Sequence, residues 1–128
     1  MSHLWPDAAD LLYIKSEHTG PKARVRDAGI LVAAAGRPHA FLIDRFTYLP
    51  PLDQASALLH SIVCWRPLDV WNGGLAWGAA RVFLVMAGYR LAMPAQDRMQ
   101  LVADLEDRRV DSVAEVSERL APHVEVAY

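Results

Sequence analysis

The stretch from Trp65 to Gly74, WRPLDVWNGG, contains the residues best suited to bind or transform a ligand. Asn72, Gly73 and Gly74 predict a tight polar turn, because Asn and Gly accept positive φ and let a ligand approach the backbone. The following segment, Leu75–Met86, is apolar on nearly every side, which is typical of a buried helix. The N–H groups that begin such a helix attract anions. The same residues also fit a glycine-bearing turn that binds nothing.

Composition limits the classes of protein to which the chain can belong. Its 128 residues are 53% hydrophobic and 22% charged, so we expect one domain, 1–128, with a sizeable core. With 13 basic and 15 acidic residues the net charge is −2, which predicts neither a nucleic-acid partner nor an anionic membrane partner. Cys64 is the single cysteine, which excludes an internal disulfide, argues against zinc and predicts a small core residue.

The N-terminal segment and the most apolar segment together predict a cytoplasmic protein. The N-terminal sequence MSHLWPDAAD has neither the basic region nor the apolar region of a signal peptide. The most apolar segment carries Arg81 and is shorter than a membrane span.

Helical patterns flank the central stretch on both sides. They run over Pro6–Lys15, Arg26–Ala35, Leu52–Trp65, Ala95–Asp107 and from Ser112 to Leu120. Ser112 and Glu115 have the spacing of a capping box, and Arg90–Pro94 reads as a short extended connection. His60 lies within the third pattern and is predicted to be a hydrogen-bonded structural residue. With Leu75–Met86, the chain is predicted to be an all-α domain of about six helices.

The segment Pro38–Pro51 differs from the helical patterns. It contains the β-favouring residues Phe41, Ile43, Phe46 and Tyr48, interrupted by Asp44-Arg45. This predicts a small hairpin or an extended flap. Connections of this length are uncommon in compact domains unless they have a function. An ordered surface loop with a few anchoring aromatic residues is an equally good interpretation.

Several blocks along the chain match one known family in order and spacing. The blocks are Val25–Leu31, Gly36–Pro38, Ala57–Ser61, Ala76–Trp77, Val82–Leu84 and Gly88–Leu91. They resemble the Fic/Doc family, and among its members the small Doc-type toxins of bacterial toxin–antitoxin pairs. The resemblance covers nearly the whole chain and implies a Fic/Doc-like helical fold with a short flap.

The family's active motif reads His, any residue, Phe, any residue, Asp or Glu, Gly or Ala, Asn, Gly or Lys, Arg. Here Arg66 replaces the His that accepts a proton, and an arginine stays protonated in proteins. Val70 replaces the metal-binding acid and offers no oxygen to Mg²⁺. Gly74 replaces the Arg that holds a phosphate. Asn72 and Gly73 match the anion-holding turn, so the resemblance implies a degenerate site.

Other residues near the motif offer little replacement chemistry. Trp71 stands where the family has a small residue, and we expect it to fill part of the nucleotide cleft. Asp69 is one step from the acid position, so its side chain points elsewhere. Arg66 adds a fixed positive charge that favours an anionic ligand. His39 in the flap is a conceivable base, although a solvated loop histidine is the simpler interpretation.

Three hypotheses follow. The first is a degenerate Doc-like pseudoenzyme that binds an antitoxin-like or target protein, or a small anionic or nucleotide ligand, without AMP or phosphate transfer. The second is an enzyme with a rebuilt site in the same cleft, or a toxin-like transferase that uses other residues. The third is a helical domain used only for assembly, its cleft closed by Trp71.

The predicted site follows from the resemblance. ATP or another phosphate-bearing compound is the candidate ligand, while Mg²⁺ and other metals are not expected. The ligand-contacting residues would be Arg66, Asp69, Trp71, Asn72, Gly73 and Gly74, with Val70 at the vacated acid position. The flap contacts would be Phe41, Ile43 and Tyr48.

Overall fold

The structure is a computed structural model, and it describes residues 5–127. Within these residues the chain forms six α-helices, which confirms the predicted all-α class. They are α1 (Ala8–His18), α2 (Ala28–Gly36), α3 (Pro51–Trp65), α4 (Asn72–Met86), α5 (Ala95–Glu106) and α6 (Val113–Leu120). No helix in this part of the chain is long and apolar enough to cross a membrane.

Helices α3 and α4 form the centre of the fold, as predicted. Leu58, Leu59 and Ile62 of α3 pack in one core with Leu75 and Leu84 of α4, and all are essentially inaccessible to solvent. Helix α1 packs on α4, and α2, α5 and α6 pack on α3. One side of α4, at Arg81 and Val85, is exposed, so this helix is less completely buried than its composition indicated.

The first residues of the helices are set by side-chain caps. The Asp7 carboxylate accepts from Asp10 N, so α1 begins at Ala8 rather than Pro6. Asp27 Oδ1 accepts from the N–H groups of Gly29 and Ile30, so α2 begins two residues later than predicted.

The predicted capping box of α6 is only half formed. The Ser112 hydroxyl accepts from Glu115 N at 3.1 Å, as the pattern requires. The Glu115 carboxylate, however, accepts from the Ser112 hydroxyl at 3.0 Å and from Asp111 N at 3.4 Å. Glu115 therefore forms hydrogen bonds with the residue before the N-cap as well as with the N-cap residue itself.

The predicted turn before α4 is wrong, because Asn72, Gly73 and Gly74 form the first turn of the helix itself. Neither glycine has positive φ. The left-handed residues are instead Arg66, with φ 55°, and Trp71, with φ 60°, which bracket the loop between α3 and α4. The loop therefore reverses direction at two bulky residues, and the glycines serve packing rather than the turn.

The flap is a hairpin, as predicted. Strand β1 (Phe41–Leu42) pairs antiparallel with β2 (Arg45–Phe46). Phe41 packs edge to face on Phe46 at 5.2 Å between ring centroids, yet it is 60% exposed. Phe41 therefore does not anchor the hairpin to the core, contrary to expectation.

A second two-stranded sheet joins the segment after α4 to the C-terminal segment. Strand β3 (Tyr89–Leu91) pairs antiparallel with β4 (Val124–Val126), and Arg90 forms an ion pair with Glu125 across it. The predicted extended connection Arg90–Pro94 is thus partly a strand. Strands this short show no alternation in sequence, and each pairs with a segment distant in the chain.

Arg37 fixes the hairpin to α3. It donates from one nitrogen to His60 Nδ1 at 2.7 Å and to the Ser61 hydroxyl at 2.9 Å. The same guanidinium lies 5.6 Å from the Tyr48 ring centroid and 5.1 Å from that of Trp65.

His60 completes this network. An arginine cannot accept a hydrogen bond, so Nδ1 is the acceptor and Nε2 donates to the Asp111 carbonyl at 2.9 Å. Burial, more than any other cause, lowers the pKa of His60. His60 is therefore the structural residue that the sequence predicted.

Cys64 is not the core residue that the sequence predicted. It is exposed near the end of α3, where it lines a small cavity of about 320 Å³. Partial burial still raises the pKa of its thiol, which disfavours the reactive thiolate.

Candidate functional site

A cleft of about 890 Å³ opens at the N-terminus of α4. The motif-loop residues form one side of it: Arg66, Asp69, Val70, Trp71, Asn72, Gly73 and Gly74. The end of α1, the middle of α4 and one face of α5 form the rest, through His18, Thr19, Trp77, Arg98, Met99, Val102 and Glu106. The structure thus brings every predicted motif position to a single cavity.

The loop between α3 and α4 is held from behind by the segment before α2. Asp69 N donates to the Arg24 carbonyl at 2.9 Å, and Arg26 N donates to the Pro67 carbonyl at 2.7 Å. The Arg26 side chain donates to the carbonyls of Trp65 at 2.9 Å and Arg66 at 2.8 Å. The loop is therefore ordered by the protein itself.

Asp69 lines the cleft, but one of its carboxylate oxygens is already occupied. Oδ1 accepts from Arg24 N at 2.8 Å, and this hydrogen bond is the main reason that the pKa of the Asp69 carboxyl is lowered. The side chain points to the back of the loop, as expected from its position one step before Val70.

Asn72 closes the loop from inside. Its side chain is buried, with Oδ1 accepting from Leu68 N at 2.9 Å and Nδ2 donating to the Leu68 carbonyl at 3.0 Å. The residue that the resemblance assigned to the anion-holding turn thus uses both ends of its amide on the backbone of the loop.

The glycines of α4 allow neighbouring elements to approach. A Cβ at Gly73 would lie 2.8 Å from Val102 Cγ1 on α5, and one at Gly78 would lie 2.8 Å from the His18 ring. At Gly74 the nearest atom would be Thr19 Cγ2 at 3.3 Å. These contacts bring the α1 and α5 walls of the cleft against α4.

The open part of the cleft is partly apolar and partly positive. Trp71, the N-cap residue of α4, makes no side-chain hydrogen bond to the helix. Gly74 N donates to the Trp71 carbonyl at 3.1 Å, so the N–H groups of Asn72 and Gly73 are the ones available to a ligand. Trp71 is 54% exposed, and Val70 is 43% exposed. Trp71 therefore lines the cleft without closing it, and its expected role of filling part of the nucleotide cleft stays a prediction.

Two residues of the far wall were missed from the sequence. His18 Nδ1 lies 3.2 Å from the Ile14 carbonyl and must donate to it, which leaves Nε2 as an acceptor. Arg98 lies with its guanidinium carbon 5.2 Å from the Trp77 ring centroid. No local pattern identifies either residue, because α1 and α5 reach the cleft only through tertiary packing.

The flap residues Phe41, Ile43 and Tyr48 do not line the cleft. His39 does not line it either. Its ring stacks between Trp5, with centroids 4.0 Å apart, and Phe83, at 5.9 Å. Burial lowers the pKa of His39, so it is neither the solvated histidine expected nor a base within reach of the cleft.

One comparison decides the family. The Toxin Doc of Mycolicibacterium smegmatis is 37% identical to this chain over 113 residues, which cover 84% of this chain and 86% of the relative. The chain belongs to the Doc toxin family. No family model matches it, and no solved structure matches it significantly.

In this Doc-family chain the three positions where the resemblance implied a replaced group occupy different parts of the local structure. Arg66 is the left-handed C-cap of α3, Val70 lies in the loop, and Gly74 lies in the first turn of α4. Among the described residues, no cluster of three or more His, Cys, Asp and Glu side chains is arranged to hold a metal ion.

Proposed function

We propose that this Doc-family protein binds a small anionic ligand in the α4 cleft, or a partner protein on its surface, without transferring AMP or phosphate. One observation carries the proposal: Arg66, Val70 and Gly74 line the same open cleft, at positions where the resemblance implies a base, a metal ligand and a phosphate clamp. The cleft is kept, while the groups that would perform the transfer are replaced.

Each replacement removes a separate chemical role. A guanidinium stays protonated, so Arg66 cannot accept a proton from an acceptor hydroxyl. Val70 has no oxygen for a cation, and Gly74 has no side chain to hold a phosphate. Asp69 is a poor substitute for the acid that is missing at position 70, because its Oδ1 already accepts from Arg24 N.

Ligand binding is supported by the size and polarity of the cleft. Its volume of about 890 Å³ falls within the usual range for ligand pockets. The N-terminus of α4 opens onto it without a side-chain cap, and Arg66 and Arg98 line it. A phosphate-bearing compound such as a nucleotide has the chemistry that such a helix terminus attracts.

A protein partner is the second form of the same function. Because Doc toxins belong to toxin–antitoxin pairs, an antitoxin-like or target protein is the candidate. The hairpin offers a surface for it, since Phe41, Leu42 and Ile43 are 60%, 66% and 82% exposed.

A rebuilt enzyme is the alternative function, and His18 is the observation that favours it. This histidine lines the cleft with Nδ1 committed to Ile14, so Nε2 is available to accept a proton from a bound molecule. In this alternative, His18 would replace the missing motif histidine from the opposite wall.

The test combines labelling with binding. The full chain is incubated with radioactive ATP and Mg²⁺, together with a heat-inactivated lysate as the source of protein hydroxyls, and the same mixture without the chain is the control. Nucleotide binding is measured by calorimetry. We expect no labelled protein, because three roles are vacated together. Labelling that Arg66→Ala abolishes would overturn the proposal, and labelling that His18→Gln abolishes would establish the rebuilt enzyme.

A further inference from the structure

We infer that the ligand of the α4 cleft is a small organic anion of low charge with a flat apolar part, rather than a nucleoside triphosphate. The inference rests on the proposed function, because it names the class of ligand for the same cleft. It is carried by the balance of charges that line the cleft and by the apolar side chains left exposed inside it.

The charged residues that line the cleft sum to zero, although Oδ1 of Asp69 is turned to the back of the loop toward Arg24 N. Arg66 and Arg98 supply two positive charges, and Asp69 and Glu106 supply two negative charges. A bound triphosphate would need further cations. Several of its negative charges would otherwise lose their hydration without gaining a positive partner. Val70 offers no oxygen through which a metal could supply them.

Each of the two cationic groups is free to pair with an anion. In residues 5–127, neither the Arg66 guanidinium nor the Arg98 guanidinium has a carboxylate partner or a side-chain hydrogen bond. Arg98 is nevertheless positioned, because it lies 5.2 Å from the centroid of the Trp77 ring. Trp77 itself is 5% exposed, so the guanidinium rests on a fixed ring. A carboxylate or phosphomonoester matches such a planar donor.

The apolar part of the ligand is indicated by exposed side chains within the cleft. Trp71 and Met99 both line the cavity, yet they are 54% and 66% exposed. A ligand with a flat apolar body would cover these surfaces, and each aromatic ring or thioether covered in this way favours binding. An inorganic anion would leave them in water.

The test uses a matched set of probes on the full chain, titrated by calorimetry. 2-Naphthoate has the flat body and one negative charge, 2-naphthamide has the body without charge, and acetate has the charge without the body. 2-Naphthyl phosphate distinguishes a phosphate from a carboxylate, and ATP represents the triphosphates. We expect 2-naphthoate or 2-naphthyl phosphate to bind about tenfold or more tightly than 2-naphthamide, acetate and ATP.

Two pairs of variants locate the binding. Arg98→Gln should weaken 2-naphthoate about tenfold while leaving 2-naphthamide unchanged, and Arg81→Gln, on the exposed side of α4, should change neither. Trp71→Ala should weaken both aromatic probes, whereas Tyr13→Ala, an exposed aromatic residue of α1 outside the cleft, should have no effect. Thermal melts of each variant report whether the fold is kept.

The outcomes separate this inference from the proposed function. ATP binding more tightly than the naphthyl anions, no binding of the naphthyl anions, or equal effects of Arg98→Gln and Arg81→Gln would each overturn the inference. Tight ATP binding without labelling would still support the proposed function. Labelling of a protein by ATP would overturn the proposed function, whichever anion binds best.

Discussion

Asn72 holds the backbone of Leu68 through both ends of its side-chain amide, at 2.9 Å and 3.0 Å. Both residues are buried, whereas Val70 and Trp71 between them are 43% and 54% exposed. The motif asparagine is therefore the residue that shapes the loop carrying Val70 and Trp71. We therefore expect the loop to depend on this side chain whether or not a ligand is bound.

Asn72→Ala is expected to destabilise the fold. The buried N–H and C=O groups of Leu68 would each lose a partner, at a cost of about 1–3 kcal/mol per group. Chemical denaturation of the variant measures the loss, with Val70→Ala on the same loop as a control expected to change stability by less than about 0.5 kcal/mol. An unchanged midpoint for Asn72→Ala would mean that this side chain serves a ligand instead.

Gly73→Ala should also destabilise, although alanine is the better helix former by about 1 kcal/mol. The new Cβ would lie 2.8 Å from Val102 Cγ1, and overpacking of this kind costs about 1–3 kcal/mol. Gly36→Ala is the matched control, because a Cβ there meets nothing within 4 Å and φ is not positive. Stability should return in the double variant with Val102→Ala, and a stabilising Gly73→Ala would contradict the close contact.

The sequence predicted the helices well because the spacing of apolar residues within each helix indicates which of its faces is buried. Spaced apolar residues such as Leu58, Leu59 and Ile62 identify α3 without knowledge of any other element. The pairing of Tyr89–Leu91 with Val124–Val126 was missed, since neither segment is long enough to show a strand pattern. What fails is therefore the non-local part of the fold.

The cleft was predicted only on the side formed by the motif. Arg66, Val70 and Gly74, which the resemblance assigned to the site, line one cavity, and their roles toward a ligand stay predictions. Asn72 and Gly73 line it too, while Asn72 also holds the loop and Gly73 packs against α5. His18 and Arg98 reach the cleft from α1 and α5, and no spacing in the sequence links them to the motif.

Phe83→Ala tests the burial of α4. Phe83 is 5% exposed and stacks on His39 at 5.9 Å between centroids. Removing a buried aromatic ring typically costs about 3–5 kcal/mol, and we expect the denaturant midpoint to fall accordingly. Val85→Ala on the exposed side of α4 is the control, and equal effects of the two variants would contradict the packing of this helix.

Stability should fall on mild acidification. Burial lowers the pKa of His60 and of His39 from 6.5, so the unfolded chain binds protons more readily than the folded chain. The stabilisation is complete above about pH 6.5. It is lost as the pH falls through the pKa values of the folded protein, because a protonated His60 cannot accept from Arg37. Thermal melts at a series of pH values would measure this, and His60→Gln should reduce the slope. If His60→Gln kept the same dependence of stability on pH, His60 would be excluded as its source.

Introducing the family pattern tests the proposal that the cleft does not transfer AMP or phosphate. The triple change Arg66→His, Val70→Asp, Gly74→Arg returns a base, a metal ligand and a phosphate clamp. At position 74 the new Cβ would lie 3.3 Å from Thr19 Cγ2, which a shift of a few tenths of an ångström relieves.

We expect the triple variant to gain AMP or phosphate transfer with ATP and Mg²⁺, while the unaltered protein shows none. General acid–base help is typically worth about 10²–10⁴-fold, and a metal and a clamp add charge stabilisation of similar importance. Because groups that act as a unit are not additive, each single change should recover far less than the triple change. The double variant Arg66→His, Val70→Asp, which keeps Gly74, separates the clamp from the other two roles. A folded triple variant that stays inactive would mean that the cleft has diverged beyond these three positions, and equal activity of the single and triple variants would contradict their acting together.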